Sequence, residues 1–461
     1  MRKFNVSQKL QLKRHRRSLK SKAYKKSLRY KFDHKNIELI QLFGKSIDAE
    51  EVLQRFLPKN LKYILLESED SELSINKLSP TWFFKKEERI DVPTFFSFDD
   101  KNCESSIEFL KKLTSVLIFQ RAESVVVSYA RCEKISLEAQ VFLDIILKDV
   151  ITFFRRCNQY KKLKPKVKRI RGDDVNNPDI KKLLYSVGSP AIHANYEIKF
   201  KDIISYKLCI HNSLNKSKKN IAQKDIDTTT LADYVINSLY RMNITLTGKE
   251  IENLCIVISE ILINAEEHSS NNFRYSIGYF TEKEENDKHY GIFRLVIMNF
   301  GQTIYEKFKD PFCKNQSSVI KMKSLSEKYT KRKLFIPAEF EEETLWTLYS
   351  LQEGVTSTDP NEYKKRGNGS LRFIENFFKL GGKNATEHDS KMTIVSGKSK
   401  ITFDGQYNIT PAIVDGEQFQ CVSFNESGNI MNKPDSKYVN FAPTYFPGTY
   451  ISAEIYFSEN I

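Results

Sequence analysis

The segment that most limits what this chain can become is Ser259-Glu-Ile-Leu-Ile-Asn-Ala-Glu-Glu-His268. It closes a stretch from Lys249 in which Ile251, Leu254, Cys255, Ile258, Ile261, Leu262 and Ala265 recur three or four residues apart, the period of one helix face. Ile256, Val257 and Ile263 carry apolar character to the opposite side, so the spacing predicts a helix buried on nearly every side. Glu260, Asn264 and His268 fall at i, i+4 and i+8 and share one face. A carboxylate and an amide on such a helix need partners, because burying them bare costs several kcal/mol. Either that face is an ordinary polar surface, or a polar ligand meets it. A magnesium–triphosphate with an attacking water would supply the partners.

Three further segments favour the ligand. Phe293-Arg-Leu-Val-Ile-Met-Asn-Phe-Gly-Gln-Thr-Ile304 reads as a strand running into a glycine turn. Gln352-Glu-Gly-Val-Thr-Ser-Thr-Asp-Pro360 is followed by Arg366-Gly-Asn-Gly-Ser-Leu371, which opens a helix to Lys379. Glycines before a helix let backbone N–H groups approach phosphates at the positive helix end. Phe446-Pro-Gly-Thr-Tyr-Ile-Ser-Ala-Glu-Ile-Tyr-Phe457 reads as a terminal strand entered through Gly-Thr. Each is weak alone; their order and spacing together are specific.

In that order they resemble the GHKL (Bergerat) ATPase fold shared by histidine kinases, Hsp90, gyrase B and MutL, over roughly residues 228–461. The resemblance implies ATP and Mg2+ as cofactors. It implies that Glu260 orients or deprotonates the attacking water or acceptor hydroxyl, and that Asn264 is the magnesium ligand. His268 would lie in the same cofactor site. Asn299 and Gly301 match the Asp-x-Gly that reads adenine. Gly367, Asn368 and Gly369 would cradle phosphates, and Thr449 would hydrogen-bond near the base. The Glu-x-x-x-Asn-Ala-x-x-His pattern is closest to the anti-sigma-factor serine kinases and their stand-alone relatives. Asn299 departs from the family pattern: an amide both donates and accepts, where the expected Asp only accepts. Adenine recognition is therefore expected to weaken.

The rest of the chain divides by composition. Residues 1–35 hold 14 Lys/Arg and one acidic residue, Asp33, so a local +13 leaves only +2 of the total +15 for everything after it. This basic arm, interleaved with Tyr24, Tyr30 and Phe32, is expected either to contact nucleic acid or to be a solvated tail. Residues 36–103 give no clear pattern. Residues 104–225 read as an α/β module: a helix at 104–117, a strand at Ser124–Ser128, a helix from Leu137 to Arg156, a strand at Val167–Ile170, and a helix from Pro178 to Gly188. Its order resembles a STAS partner-switching domain. Ser136 then falls either where that family carries its phosphorylated serine or at an ordinary helix N-cap. A Lys-rich linker is expected at Asn212–Lys224, a helix from Leu231 to Arg241, and the GHKL domain over 226–461 with its lid at about 305–366.

The expected fold class is thus α/β and α+β: a C-terminal α/β sandwich of the GHKL type after an N-terminal α/β module and a basic arm. No apolar run approaches the roughly 18 residues of a membrane span. The seven cysteines form no Cys-x-x-Cys pair, which argues against structural zinc and fits the cytoplasm. The expected function is a nucleotide-driven switch with weak ATPase or protein-serine kinase activity, a protein partner and a homodimeric option. The alternatives are a catalytically silent binding module and a nucleic-acid-associated ATPase of genome defence.

Overall fold

The structure, a computed structural model, describes residues 49–79, 83–159, 165–192, 198–212, 218–267, 269, 271–285, 288–330, 339–357, 369–381, 390–414 and 417–458. The basic arm at 1–35 lies outside the described residues. The fold is mixed α/β, with parallel strands in its first half and a separate antiparallel sheet in its second.

The segment without a clear sequence pattern begins with helices α1 (Ala49–Phe56) and α2 (Lys59–Lys62), the latter running into a π-turn at Tyr63–Glu67. Strands β1 (Lys85–Asp91) and β2 (Phe95–Phe96) follow. Then come α3 (Cys103–Ile118), β3 (Ala122–Ser128), β4 (Lys134–Ile135), α4 (Leu137–Gln159), β5 (Arg169–Asp173) and α5 (Pro178–Val187). β1, β3 and β5 form a parallel sheet in that order, and β2 pairs with β4. Val125, Val126 and Val127 are all fully buried, as a strand covered on both faces requires. α5 is bounded by local chemistry: the Asn177 side chain accepts from Asp179 N and Ile180 N, Pro178 takes the first turn, and Gly188 closes the helix at φ 70°.

The second half contains β6 (Ile203–Asn212), α6 (Lys218–Tyr240), α7 (Gly248–Glu267), β7 (Phe273–Glu285), β8 (Lys288–Phe300), α8 (Ile304–Lys309), α9 (Gln316–Tyr329), α10 (Glu342–Ser350) and α11 (Gly369–Gly381). It ends with β9 (Lys391–Phe403), the hairpin β10 (Thr410–Val414) and β11 (Glu417–Cys421), and the long β12 (Val439–Ser458). The antiparallel sheet has the order β6-β7-β8-β12-β9. Alternate residues face opposite ways. Phe293, Leu295, Ile297, Ala453 and Ile455 share a core with Leu231 and Val235 of α6, Ile258 of α7 and Phe377 of α11. Tyr275, Val296, Met298, Phe300 and Tyr450 pack instead with Leu113 of α3 and Phe142 of α4. The Phe142 ring lies 5.8 Å from that of Phe300 and 5.5 Å from that of Phe446. Both faces of one sheet are therefore covered, and each fully buried Leu, Ile or Phe contributes about 1.5–3 kcal/mol.

Four features differ from the sequence expectation. β6, placed by sequence in the N-terminal module, is an edge strand of the antiparallel sheet. The Lys-rich stretch read as a linker is helical from Lys218, because α6 needs the length to cover that sheet. α7 is not buried all round: Ile256 is 45% exposed, since the helix packs on the sheet and between α6 and α11 and leaves one side to water. The segment expected as a lid contributes three helices whose Met322, Leu325, Leu345 and Leu348 are fully buried, so its described part belongs to the core. Among the described residues no helix is long and apolar enough to cross a membrane.

Candidate functional site

The helical face of the antiparallel sheet is apolar along most of its length and turns polar at one row. His211 of β6 is the register partner of Arg274 on β7, Arg274 of Asn299 on β8, Asn299 of Thr449 on β12, and Thr449 of Ser396 on β9. Directly opposed residues point to the same face. A polar side chain therefore stands at every position of one row across five strands. The row before it holds Ile297, Ile451 and Ile394.

The last turn of α7 is tied to this row. Asn299 Nδ2 donates to the carbonyl of Ala265 at 2.7 Å, and Asn299 Oδ1 accepts from Thr449 N at 3.2 Å. Thr449 Oγ1 is 2.9 Å from Ser396 Oγ, which accepts from Ile304 N at 2.9 Å. Arg274, wholly buried, donates through Nη2 to Asp227 of α6 at 2.9 Å and lies 3.5 Å through Nε from Glu266 of α7. His211 stands between the same two carboxylates, with Nδ1 3.5 Å from Asp227 and Nε2 3.7 Å from Glu266. Burial lowers the His211 pKa and the Arg274 charge adds to this, against the pull of Glu266 and Asp227.

Asn264 lies in this anchored last turn and Glu260 one turn before it, on one face of α7. Both are half-buried. Glu260 Oε2 is buried and has no hydrogen-bond partner among the described residues. An orphaned carboxylate oxygen is costly unless a donor or cation reaches it. β8 leaves the row through Gly301, whose φ of 128° suits only glycine and whose N–H donates to Pro447 O at 3.3 Å. At Gly448, φ 147°, a Cβ would collide with the Asn299 carbonyl, so glycine here lets β12 approach β8.

Further titratable groups gather beside the row. Thr303 caps α8 in a reciprocal capping box with Glu306, and Tyr445 Oη donates to Glu306 Oε1 at 2.9 Å. Glu343 of α10 accepts from Lys398 N at 2.9 Å; burial, with Glu306 adding, pushes its carboxyl up to about 7. Lys307 Nζ donates to the carbonyl of Glu267 at 3.2 Å, at the C-terminus of α7 where a cation is favoured. Burial pushes that ammonium down to about 8.

The structure places Asn299, Gly301 and Thr449 at the strand ends tied to the last turn of α7, which carries Asn264, with Glu260 one turn earlier on the same helix. His268, Gly367 and Asn368 lie outside the described residues. Gly369 is the first residue of α11, which packs against α7. Asn299 has a structural duty that its sequence position did not reveal: a carboxylate could not donate to Ala265. Arg274, Asp227, His211, Ser396 and Glu343 were not singled out in the sequence. A lone Arg in the apolar run Phe273-Arg-Tyr-Ser-Ile277 was the available signal. Ser136, weighed as a cap or a modification site, gives its main-chain carbonyl to Gln140 N at 3.2 Å. Its Oγ is buried without a partner, so it does not cap through its side chain.

No protein-family model, curated protein or solved structure matches this chain.

Proposed function

We propose that the chain binds Mg–ATP at the end of α7 in the manner of a GHKL domain and acts as a nucleotide-driven switch with slow hydrolysis or transfer to a protein serine. The observation that carries this reading is Glu260 Oε2, a buried carboxylate oxygen without a partner among the described residues, one turn from Asn264 on a helix whose end is fixed by Asn299 and Arg274. The donor set fits magnesium. Asn264 would offer a hard amide oxygen, and Mg2+ bound together with a nucleotide needs only one or two protein oxygens.

In this reading Asn264 holds the ion by its amide oxygen, and the bound ion neutralises phosphate charge. Glu260 accepts the proton of the attacking water or hydroxyl, a role for which a carboxylate one helical turn away is suited. Lys307 places positive charge beside the same helix end. The described α8–α10 segment, packed into the core, is a rigid wall in this account. STAS-like partner switching by the N-terminal module stays within the same proposal, since α3 and α4 rest on the back of the sheet that carries Asn299. Native mass spectrometry of the full chain with and without ATP and magnesium tests it. One nucleotide per chain, dependent on magnesium, is expected; no bound nucleotide at millimolar ATP overturns it.

A further inference from the structure

The face of the antiparallel sheet turned toward the N-terminal module also changes character along its length. Tyr275, Met298, Tyr450 and Val395 form an apolar row that the module covers. Two residues further along, Ser452 faces Thr393; two further still, Arg294, Glu454 and Lys391 stand in register on β8, β12 and β9. Over this charged end the module does not close. β4 and the start of α4 stand off from the sheet and leave a cavity of about 400 Å³; a second of about 280 Å³ shares Lys134, Ile135, Leu137 and Arg294 in its lining. Small-molecule sites have such volumes.

The lining carries four cations, Lys134, Arg294, Lys391 and Lys400, against three carboxylates, Asp99, Glu138 and Glu454, each of them hydrogen-bonded. Glu454 accepts from Arg294 Nε at 2.7 Å and from Tyr456 Oη at 3.2 Å, Glu138 from Ser452 Oγ at 3.0 Å, and Asp99 from Ser97 Oγ at 2.8 Å and from Asn102 N at 2.9 Å. Lys400 is paired with Asp100 at 2.7 Å. Lys134 and Lys391 also line the cavity, and neither has an ion pair among the described residues. Burial would raise the Glu454 carboxyl; Arg294, with Lys391 and Lys134 behind it, instead holds it below the usual carboxylate range. Thr393 and Thr402 line the same cavity.

We propose that this wedge binds a small phosphomonoester, its phosphate held by Lys134, Lys391 and Arg294 and its hydroxyls by Thr393 and Thr402. Two ammonium groups and a guanidinium line one volume in which cations outnumber carboxylates, and such a lining favours a compact anion. A cavity of this size takes a sugar phosphate and excludes a polymer. The site is distinct from the nucleotide site: Arg294 and Asn299 lie on opposite faces of β8, five residues and roughly 17 Å apart along the strand. Because one wall belongs to the module and the other to the sheet, an occupant stabilises their junction.

Thermal unfolding of the full chain, titrated with ribose 5-phosphate and in parallel with ribose, tests the proposal. The expected result is a saturable rise in Tm with the phosphate and none with ribose. The double variant Lys134→Gln/Lys391→Gln is expected to weaken the apparent affinity at least about tenfold, the scale of one lost charge-assisted hydrogen bond. Both lysines are exposed, so the variant keeps its fold. Asn264→Ala should leave the response intact. No rise in the parent, an equal rise in the double variant, or loss of the response in Asn264→Ala overturns the assignment.

Discussion

Arg274 and Asn299 are register partners on neighbouring strands, and each holds the last turn of the same helix, Arg274 through the Glu266 carboxylate and Asn299 through the Ala265 carbonyl. Two adjacent side chains on the sheet thus fix the part of α7 that carries Asn264. The position of a half-buried amide is set by the strand row beneath it.

The first consequence concerns Asn299. Replacing it by Asp removes the donor to Ala265 and sets a carboxylate against a carbonyl. Asn299→Asp is expected to cost about 1–3 kcal/mol, the desolvation and repulsion of an unpaired buried acceptor. Urea unfolding of the two proteins measures it. Unchanged stability would mean that the amide is not held as described.

Arg274 is the more severe case. It is wholly buried between Asp227 and Glu266, and truncation leaves two carboxylates facing each other without their cation. Arg274→Met is expected to destabilise by about 3–5 kcal/mol. The triple change Arg274→Met/Asp227→Leu/Glu266→Met, apolar throughout, should recover much of that loss. Denaturant midpoints of the two variants decide it: a single variant as stable as the parent contradicts the ion cluster.

Glu343 gives a pH dependence. Its carboxyl is raised from an ordinary 4.5 to about 7, so the folded state prefers it protonated. Its contribution is complete below the unfolded value and is lost as pH rises through about 7. Glu343→Gln keeps an oxygen for Lys398 N and has no charge to bury. The variant should match the parent near pH 5 and exceed it at pH 8 by on the order of 2–3 kcal/mol. Parallel stability curves from pH 5 to 8 would contradict this.

How much of this was legible in the chain depends on range. α5 could be read to the residue, because Asn177, Pro178 and Gly188 are local signals. β3 and α4 followed from the Val run and the three-or-four spacing of Phe142, Ile146, Val150 and Phe153. β6 was not legible as part of the second sheet, since its pairing with β7 spans some sixty residues and edge strands carry little pattern of their own. Glu260 and Asn264 stood out because one helix brings them together. The cluster of His211, Asp227, Glu266 and Arg274 did not, because four elements contribute one residue each. Asn299 was legible as a site position but not as a clamp: only the approach of Ala265 and Thr449 shows why the amide is there.

The arm at 1–35 carries its own expectation. Fourteen basic residues release counterions from a phosphate backbone whatever its sequence. If six to ten phosphates are engaged, affinity for nucleic acid should fall roughly 10³–10⁵-fold between about 50 and 200 mM salt. Filter binding of the full chain and of a chain starting at Asn36, across a salt series, measures this. Equal binding by the two would make the arm a solvated tail.

The central claim, that the end of α7 holds Mg–ATP, is tested most directly by calorimetric titration of Mg–ATP into the parent, Asn264→Ala and Glu260→Gln, with turnover followed in parallel. The account predicts magnesium-dependent binding by the parent, its loss in Asn264→Ala, and binding without turnover in Glu260→Gln, which keeps the shape and loses the base. Asn264→Ala binding Mg–ATP as the parent does would contradict it.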